Sequence, residues 1–320
     1  MEATELRPLT IGELLDRTFR LYRNHFWLFA GIMAIPAAFL VPFTFVIFSF
    51  QSPAMPGGKP SPTFALTAML VAVAFICLYG FVYSVAIGAT TYAVSETYLG
   101  QKVTVRGSYG KVRGNFWRIL GVVVVAWLRA MGMLVLGGIA MAIVIGVFGA
   151  VMAAIGRAQT RPIAGIIFGL LFGLAYLTGI VLWVHWSLRY AVSIPALLLE
   201  RLGVLAALRR SVQLTRGRRW PMLVAVVLCT IIGYVGAIIF QGPFFMAMMF
   251  SARTGHLPDW LTFALAMSGA IGGAMTGPVL LIVLVLCYYD TRIRKEAFDL
   301  QFMMSSLDRP APAPDTPSRA

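Results

Sequence analysis

His25, His185 and His256 are the first residues to weigh for chemistry, because clustered imidazoles and carboxylates are what a hydrolytic metal site requires. They do not cluster in the sequence. His25 sits at the turn after an amphipathic stretch, where it would contact lipid headgroups. His185 lies between Trp183 and Trp186 and suits a packed or interfacial ring better than a ligand. No acidic residue lies inside an apolar run away from its end. No glycine-rich phosphate loop follows a strand, and no nucleophile–base spacing stands out. Cys77, Cys229 and Cys287 fall inside apolar segments without paired spacing, as small buried hydrophobes would. The expectation is a protein with no catalytic residue, no metal site and no cofactor.

Three sets of charged residues remain. Arg129 stands inside an apolar run, where a charge is costly and faces a polar interior, a partner or a headgroup. The alternative is that it lies near the interface and snorkels. Glu96, Glu200 and Asp290 end three apolar runs and are expected to pair with Arg17, Arg106 or Arg210 as a structural clamp. Arg23, Arg113 and Arg216 recur at one position of a repeated pattern and are candidates for lipid-headgroup contacts.

That pattern organises the chain. Counting back from Trp27, Trp117 and Trp220, arginine stands four residues before each. Asn24, Gly114 and Gly217 stand three before, and Phe19, Tyr109 and Val212 eight before. Thr18, Ser108 and Ser211 precede those, with Leu15, Val105 and Leu208 three residues further back. After each tryptophan the chain turns strongly apolar. Three copies of one unit are implied, each a basic amphipathic helix leading into a membrane span. In the first copy, Thr10 and Glu13 form a capping box. Ile11, Leu14, Leu15, Phe19, Tyr22 and Phe26 share one face of a helix over 9–23. Such a helix should lie in the headgroup plane. Asn24, Gly114 and Gly217 are expected to end it in a left-handed conformation.

Composition fixes the solvent. The 320 residues are 59% hydrophobic and 12% charged, with mean hydropathy +0.84, far from the roughly 25% charged residues of soluble domains. Six spans are predicted at roughly 26–50, 64–95, 117–155, 163–198, 220–250 and 260–289. Pro36, Pro42, Pro243 and Pro278 are candidate kinks. The net charge of +14 follows topology, which argues against nucleic acid. Flanks 1–25, 96–116, 199–219 and 290–320 hold nineteen Lys/Arg, and the opposite connections only four: Lys59, Arg157, Arg161 and Arg253. Both termini should therefore be cytoplasmic. Small residues recur every fourth position at Gly80, Ser84 and Gly88, at Gly165, Gly169 and Gly173, at Gly269, Gly273 and Gly277, and at Gly138, Ala142, Gly146 and Ala150. They are expected to pack within the bundle or to form a homodimer contact.

Residues 207–220, with Arg209-Arg210-Ser211 and the closing Trp220, resemble the bacterial glycerophosphoryl diester phosphodiesterase membrane-domain family. So do residues 288–300, opening Tyr288-Tyr289-Asp290-Thr291-Arg292, and the start at 7–17. The resemblance covers nearly the whole chain. It implies a stand-alone membrane domain in the bacterial cytoplasmic membrane. The catalytic barrel of the phosphodiesterase has no counterpart in this sequence, so the family name implies no hydrolase here.

Together these readings give an all-α, multi-pass integral membrane protein with six transmembrane helices. One membrane domain covers 1–300, with repeats at about 7–99, 100–200 and 201–300, and a polar Pro/Ala-rich tail at 301–320 is expected to be disordered. The expected partners are membrane lipids, through anionic headgroups at the cytoplasmic face, with a protein partner or a homo-oligomer also open. The expected function is a non-catalytic module that organises those headgroups or such a partner. The alternative is a transporter or permeability element for a lipid or amphiphile.

Overall fold

Helix α1 (Ile11–Asn24) starts where the sequence supplies its own cap. The Thr10 hydroxyl accepts from the Glu13 amide at 3.3 Å, and the Thr10 amide donates to Glu13 Oε2 at 2.8 Å. Two orphan amides of the first turn are thereby satisfied. The computed structural model from which these contacts come describes residues 8–51, 62–155, 161–253 and 258–296. Lys59, Arg157, His256 and the tail 301–320 lie outside the described residues.

Nine further helices follow: α2 (Phe26–Gln51), α3 (Pro62–Tyr98), α4 (Val105–Val112), α5 (Phe116–Ile155), α6 (Arg161–Tyr190), α7 (Ser193–Leu199), α8 (Val204–Thr215), α9 (Arg219–Arg253) and α10 (Asp259–Glu296). Among the described residues there is no strand. Six helices are long and apolar enough to cross a membrane: α2, α3, α5, α6 continued by α7, α9 and α10. At about 1.5 Å per residue, the 40 residues of α5 reach about 60 Å, twice the roughly 30 Å of bilayer hydrocarbon. In a bilayer of that thickness a helix of this length has to tilt strongly or extend beyond the hydrocarbon.

The short helices fill the joints. α4 rests on α2 and α3, α8 on α5, α6 and α7, and α1 on α9 and α10. In each of them the small hydroxyl of the repeated pattern is buried: Thr18, Ser108 and Ser211. Burial requires these hydroxyls to donate. Thr18 donates to the Leu14 carbonyl (2.8 Å), Ser108 to that of Thr104 (3.1 Å) and Ser211 to that of Arg189 (2.8 Å). Glycines admit the first residues of two short helices. A Cβ at Gly31 would come within 3.3 Å of Val105, and one at Gly121 within 3.1 Å of Val204. Phe29, Ile32, Ile119, Leu208, Leu214, Ile282, Leu286 and Tyr288 are fully buried at this level. The core thus sits at one end of the bundle, and α10 runs through its centre. Away from it, α5 and α6 expose Leu136, Ile143, Leu170 and Val181 among many others.

Several expectations change. Neither Asn24 nor Gly114 adopts a positive φ; of the three breakers only Gly217 does, at φ +82°. The first turn is made instead at His25 (φ −127°), whose amide donates to Leu21 and Tyr22. After α4 the chain stays right-handed through Arg113 (φ −49°). Left-handed residues appear at other places, Gly100 (φ +78°) and Arg201 (φ +52°). Each ends a run with a Schellman closure, Gln101 N–H to Glu96 C=O at 2.9 Å and Leu202 N–H to Leu197 C=O at 3.1 Å.

The four prolines expected as kinks lie inside helices that continue through them. The helix does break at Ala191–Val192, between α6 and α7. Pro195 explains this: it has no amide to offer the Ala191 carbonyl, so it suits the first turn of a new helix. The small-residue faces mostly meet open space. Gly88 packs on Val112 and Ile119 and Gly269 on Gln241, but nothing lies within 4 Å of a Cβ at Gly80, Gly138, Gly146, Gly165, Gly169 or Gly173. Cys77 is exposed, whereas Cys229 and Cys287 are buried.

Candidate functional site

The buried end of the bundle is also its charged end. Glu200, at the close of α7, accepts from Arg210 Nε of α8 at 2.8 and 3.1 Å and from the Tyr288 hydroxyl of α10 at 2.9 Å. Arg210 also reaches Glu296 at 2.5 Å, and Arg292 joins Glu296 at 3.2 Å and Glu200 at 3.8 Å. Two carboxylates and two guanidiniums thus close a ring across α7, α8 and α10. Burial alone would lower the Arg210 pKa; its bonds to Glu200 and Glu296 outweigh this and hold it above the ordinary value.

Asp290, only 7% exposed, is enclosed by a second set. It pairs with Arg218 at 3.4 Å and Arg294 at 3.0 Å, and accepts from the Leu9 amide at 2.8 Å. Arg294 returns a bond to the Leu9 carbonyl at 2.6 Å. Glu96 meets Lys111 of α4. Of the three acids, then, Glu200 meets an arginine named from sequence, Arg210, while Glu96 and Asp290 meet Lys111, Arg218 and Arg294. Arg17 donates to the Tyr98 hydroxyl at 2.9 Å. The partners on α10 had a readable signal, since Asp290–Arg294 and Arg292–Glu296 are both i,i+4 pairs. Lys295 caps the end of α8, donating to the carbonyls of Gln213 (2.7 Å) and Arg216 (2.8 Å).

Arg23, Arg113 and Arg216 are not brought together, and all three are exposed. The tryptophans that follow them are among the most exposed large side chains: Trp27 84%, Trp117 76% and Trp220 73%. Arg23 borders an open groove with Asp16, Phe19, Arg20, Tyr22 and Phe26. Beneath the short helices two phenols tie down the backbone. Tyr22 donates to the Met275 carbonyl, and Tyr109 to that of Ile32 at 2.7 Å. Burial pushes each hydroxyl up to about 12.

Arg129 is exposed on α5, its guanidinium 5.7 Å from the centre of the Tyr190 ring. It therefore lies level with the end of α6 and the α6–α7 break. Close by in sequence, α6 carries His185 and Arg189 one turn apart. Arg189 stacks over Trp186 at 4.4 Å, and Arg219 Nη1 approaches His185 Nε2 at 3.0 Å. His185 was assigned no partner from sequence, because Arg219 is 34 residues away.

Among the described residues no group of three or more His, Cys, Asp or Glu side chains could hold a metal ion. What this end offers is cation: exposed guanidiniums beside exposed indoles, above a lattice of neutralised pairs. A family whose description reads Domain of unknown function (DUF7847) matches residues 128–291, just over half of the chain. No curated protein and no solved structure matches it.

Proposed function

We propose, for a chain that belongs to the DUF7847 family and takes no activity from it, a non-catalytic membrane module that organises anionic lipid headgroups at the cytoplasmic face of a bacterial membrane. The carrying observation is the threefold recurrence of an exposed arginine four residues before an exposed tryptophan, at Arg23, Arg113 and Arg216. An indole at the membrane boundary with a guanidinium one turn above suits the headgroup layer.

In this reading the chain is three repeats of a short interfacial helix and two spans. The way each short helix seats on the preceding pair, with α1 on α9 and α10, supports it. The excess of basic residues at that end supports a cytoplasmic orientation for both termini. The resemblance to the glycerophosphoryl diester phosphodiesterase membrane domain belongs to the same proposal. Replacing Arg23, Arg113 and Arg216 together with Gln should reduce the phosphatidylglycerol that co-purifies with the protein. Unchanged lipid content in a monodisperse triple variant would refute the reading.

A transporter or permeability element for an amphiphile is the second reading. Arg129 beside the α6–α7 break favours it, because broken helices line transporter sites. Lipid flux in reconstituted vesicles that survives Arg129→Leu would count against it.

A further inference from the structure

We propose that His185, Arg189 and Arg219 form a binding site for a phosphate group carried by an anionic phospholipid. The inference rests on the reading that this end of the bundle meets headgroups, and it adds a discrete site that uses none of the three repeated arginines.

Three observations carry it. First, the cations converge from two helices. Arg219 opens α9 and lies 3.0 Å from His185, which with Arg189 sits one turn apart on α6. A guanidinium and an imidazole at that distance are compatible when the ring is neutral and Nε2 accepts. The pair is then one net positive charge, with Arg189 a second.

Second, no carboxylate answers them. At this end Glu96 is engaged by Lys111, Glu200 and Glu296 by Arg210 and Arg292, and Asp290 by Arg218 and Arg294. The Nε atoms of Arg189, Arg218 and Arg219 are shut off from solvent and have no hydrogen-bond partner among the described residues, but Arg218 alone of the three has a carboxylate, Asp290, at its Nη2. Apart from the Arg219 bond to His185, the Arg189 and Arg219 guanidiniums are thus partly desolvated with no carboxylate beside them, a state that a bound anion relieves. The contrast with Arg210, which is ringed by two carboxylates, shows that the fold pairs its cations where acids are placed.

Third, the surroundings fit a lipid better than a soluble ligand. Arg189 lies over the Trp186 ring, 4.4 Å from its centre, so an aromatic face backs the cation. His185 is exposed, and Trp183 and Trp220 present exposed indole beside the cluster in sequence. These residues lie at the ends of span-length helices, the depth at which phosphates meet aromatic side chains. Tetrahedral phosphate oxygens can bridge two guanidinium forks, as arginine pairs do at phosphate sites generally.

Native mass spectrometry of the delipidated full-length protein tests this, with phosphatidylglycerol as the probe and a diacylglycerol of the same chains as the phosphate-free comparison. The wild type should retain one phosphatidylglycerol preferentially. Arg189→Gln and Arg219→Gln should each weaken that retention about tenfold, the loss of one charge-assisted contact. The Arg23/Arg113/Arg216→Gln variant should keep it, which separates this site from the general headgroup reading. Displacement by millimolar inorganic phosphate alone would support a phosphate site but overturn its assignment to lipid. Equal retention of diacylglycerol, or wild-type retention in both single variants, would overturn the proposal. If the Gln variants do not fold, a headgroup-photoreactive phosphatidylglycerol on the wild type decides. Adducts on residues 183–190 or 219–222 support the site, and adducts confined elsewhere refute it.

Discussion

Glu200→Gln is the sharpest test of the charged lattice. The substitution keeps the side chain's shape and an acceptor oxygen but removes the charge facing Arg210 and Arg292. Glu200 and Arg210 are 16% and 24% exposed, so water replaces the lost interaction poorly. Removing one partner of a buried pair costs about 3–5 kcal/mol. Here both guanidiniums keep Glu296, at 2.5 and 3.2 Å, so the cost should fall to about 2 kcal/mol. For a chain of 320 residues that corresponds to a melting temperature lower by about 3 °C. Glu96→Gln is the comparison. Its partner Lys111 is 50% exposed, so the pair is screened and contributes below about 0.5 kcal/mol, or less than about 1 °C. Thermal unfolding in one detergent, followed by intrinsic fluorescence, measures both. Equal shifts for the two variants, or none at Glu200, would show that burial does not set the value of these pairs.

Two further outcomes are expected. With both phenols pushed up to about 12 by burial, Tyr22 and Tyr109 should still be protonated in the folded protein at pH 11. The folded chain then holds protons that the unfolded chain releases above about pH 10, so their contribution is complete below pH 10 and disappears as pH rises through about 12. Ultraviolet titration should show Tyr22→Phe and Tyr109→Phe each removing absorbance change near pH 12; removal near pH 10 would contradict the burial. At the α7–α8 turn, Arg201 holds a left-handed conformation that costs a side-chain residue about 1 kcal/mol or more. Arg201→Gly should accordingly raise the melting temperature by about 1–2 °C, and a lowered value would mean that the Arg201 side chain contributes more than the strain removes.

The parts of this fold that could be read in the sequence are those with local causes. Thr10 and Glu13 cap α1 because both partners lie within one turn. The six apolar stretches follow from their own hydropathy. The α6–α7 break was missed although Pro195 announces it, because continuous apolarity masked a backbone signal. Of the three breakers expected to turn left-handed only Gly217 does: Asn24 and Gly114 are permissive but not compelled, and the chain turns at His25 and Arg113 without a positive φ, while Gly100 and Arg201 close two other helices. The partners of Glu96 and Asp290, and the approach of Arg219 to His185, depend on which helices become neighbours. Nothing at residue 290 indicates that its amide donor is Leu9. The small-residue faces of α5 and α6 had the spacing of packed helices, yet they lie where the bundle supplies no neighbour.

The seat of α1 also imposes an order in time. Its apolar residue Leu14 and its buried Thr18 are covered where α1 lies against α9 and α10, and Leu9 is bound by Asp290 and Arg294. A ribosome delivers the first helix well before the last two. Throughout synthesis α1 must wait with one oily face uncovered, and an amphipathic helix can do so by floating on the bilayer surface. The bonds from Asp290 and Arg294 to Leu9 can therefore form only after α10 has been made, so α10 locks α1 in place.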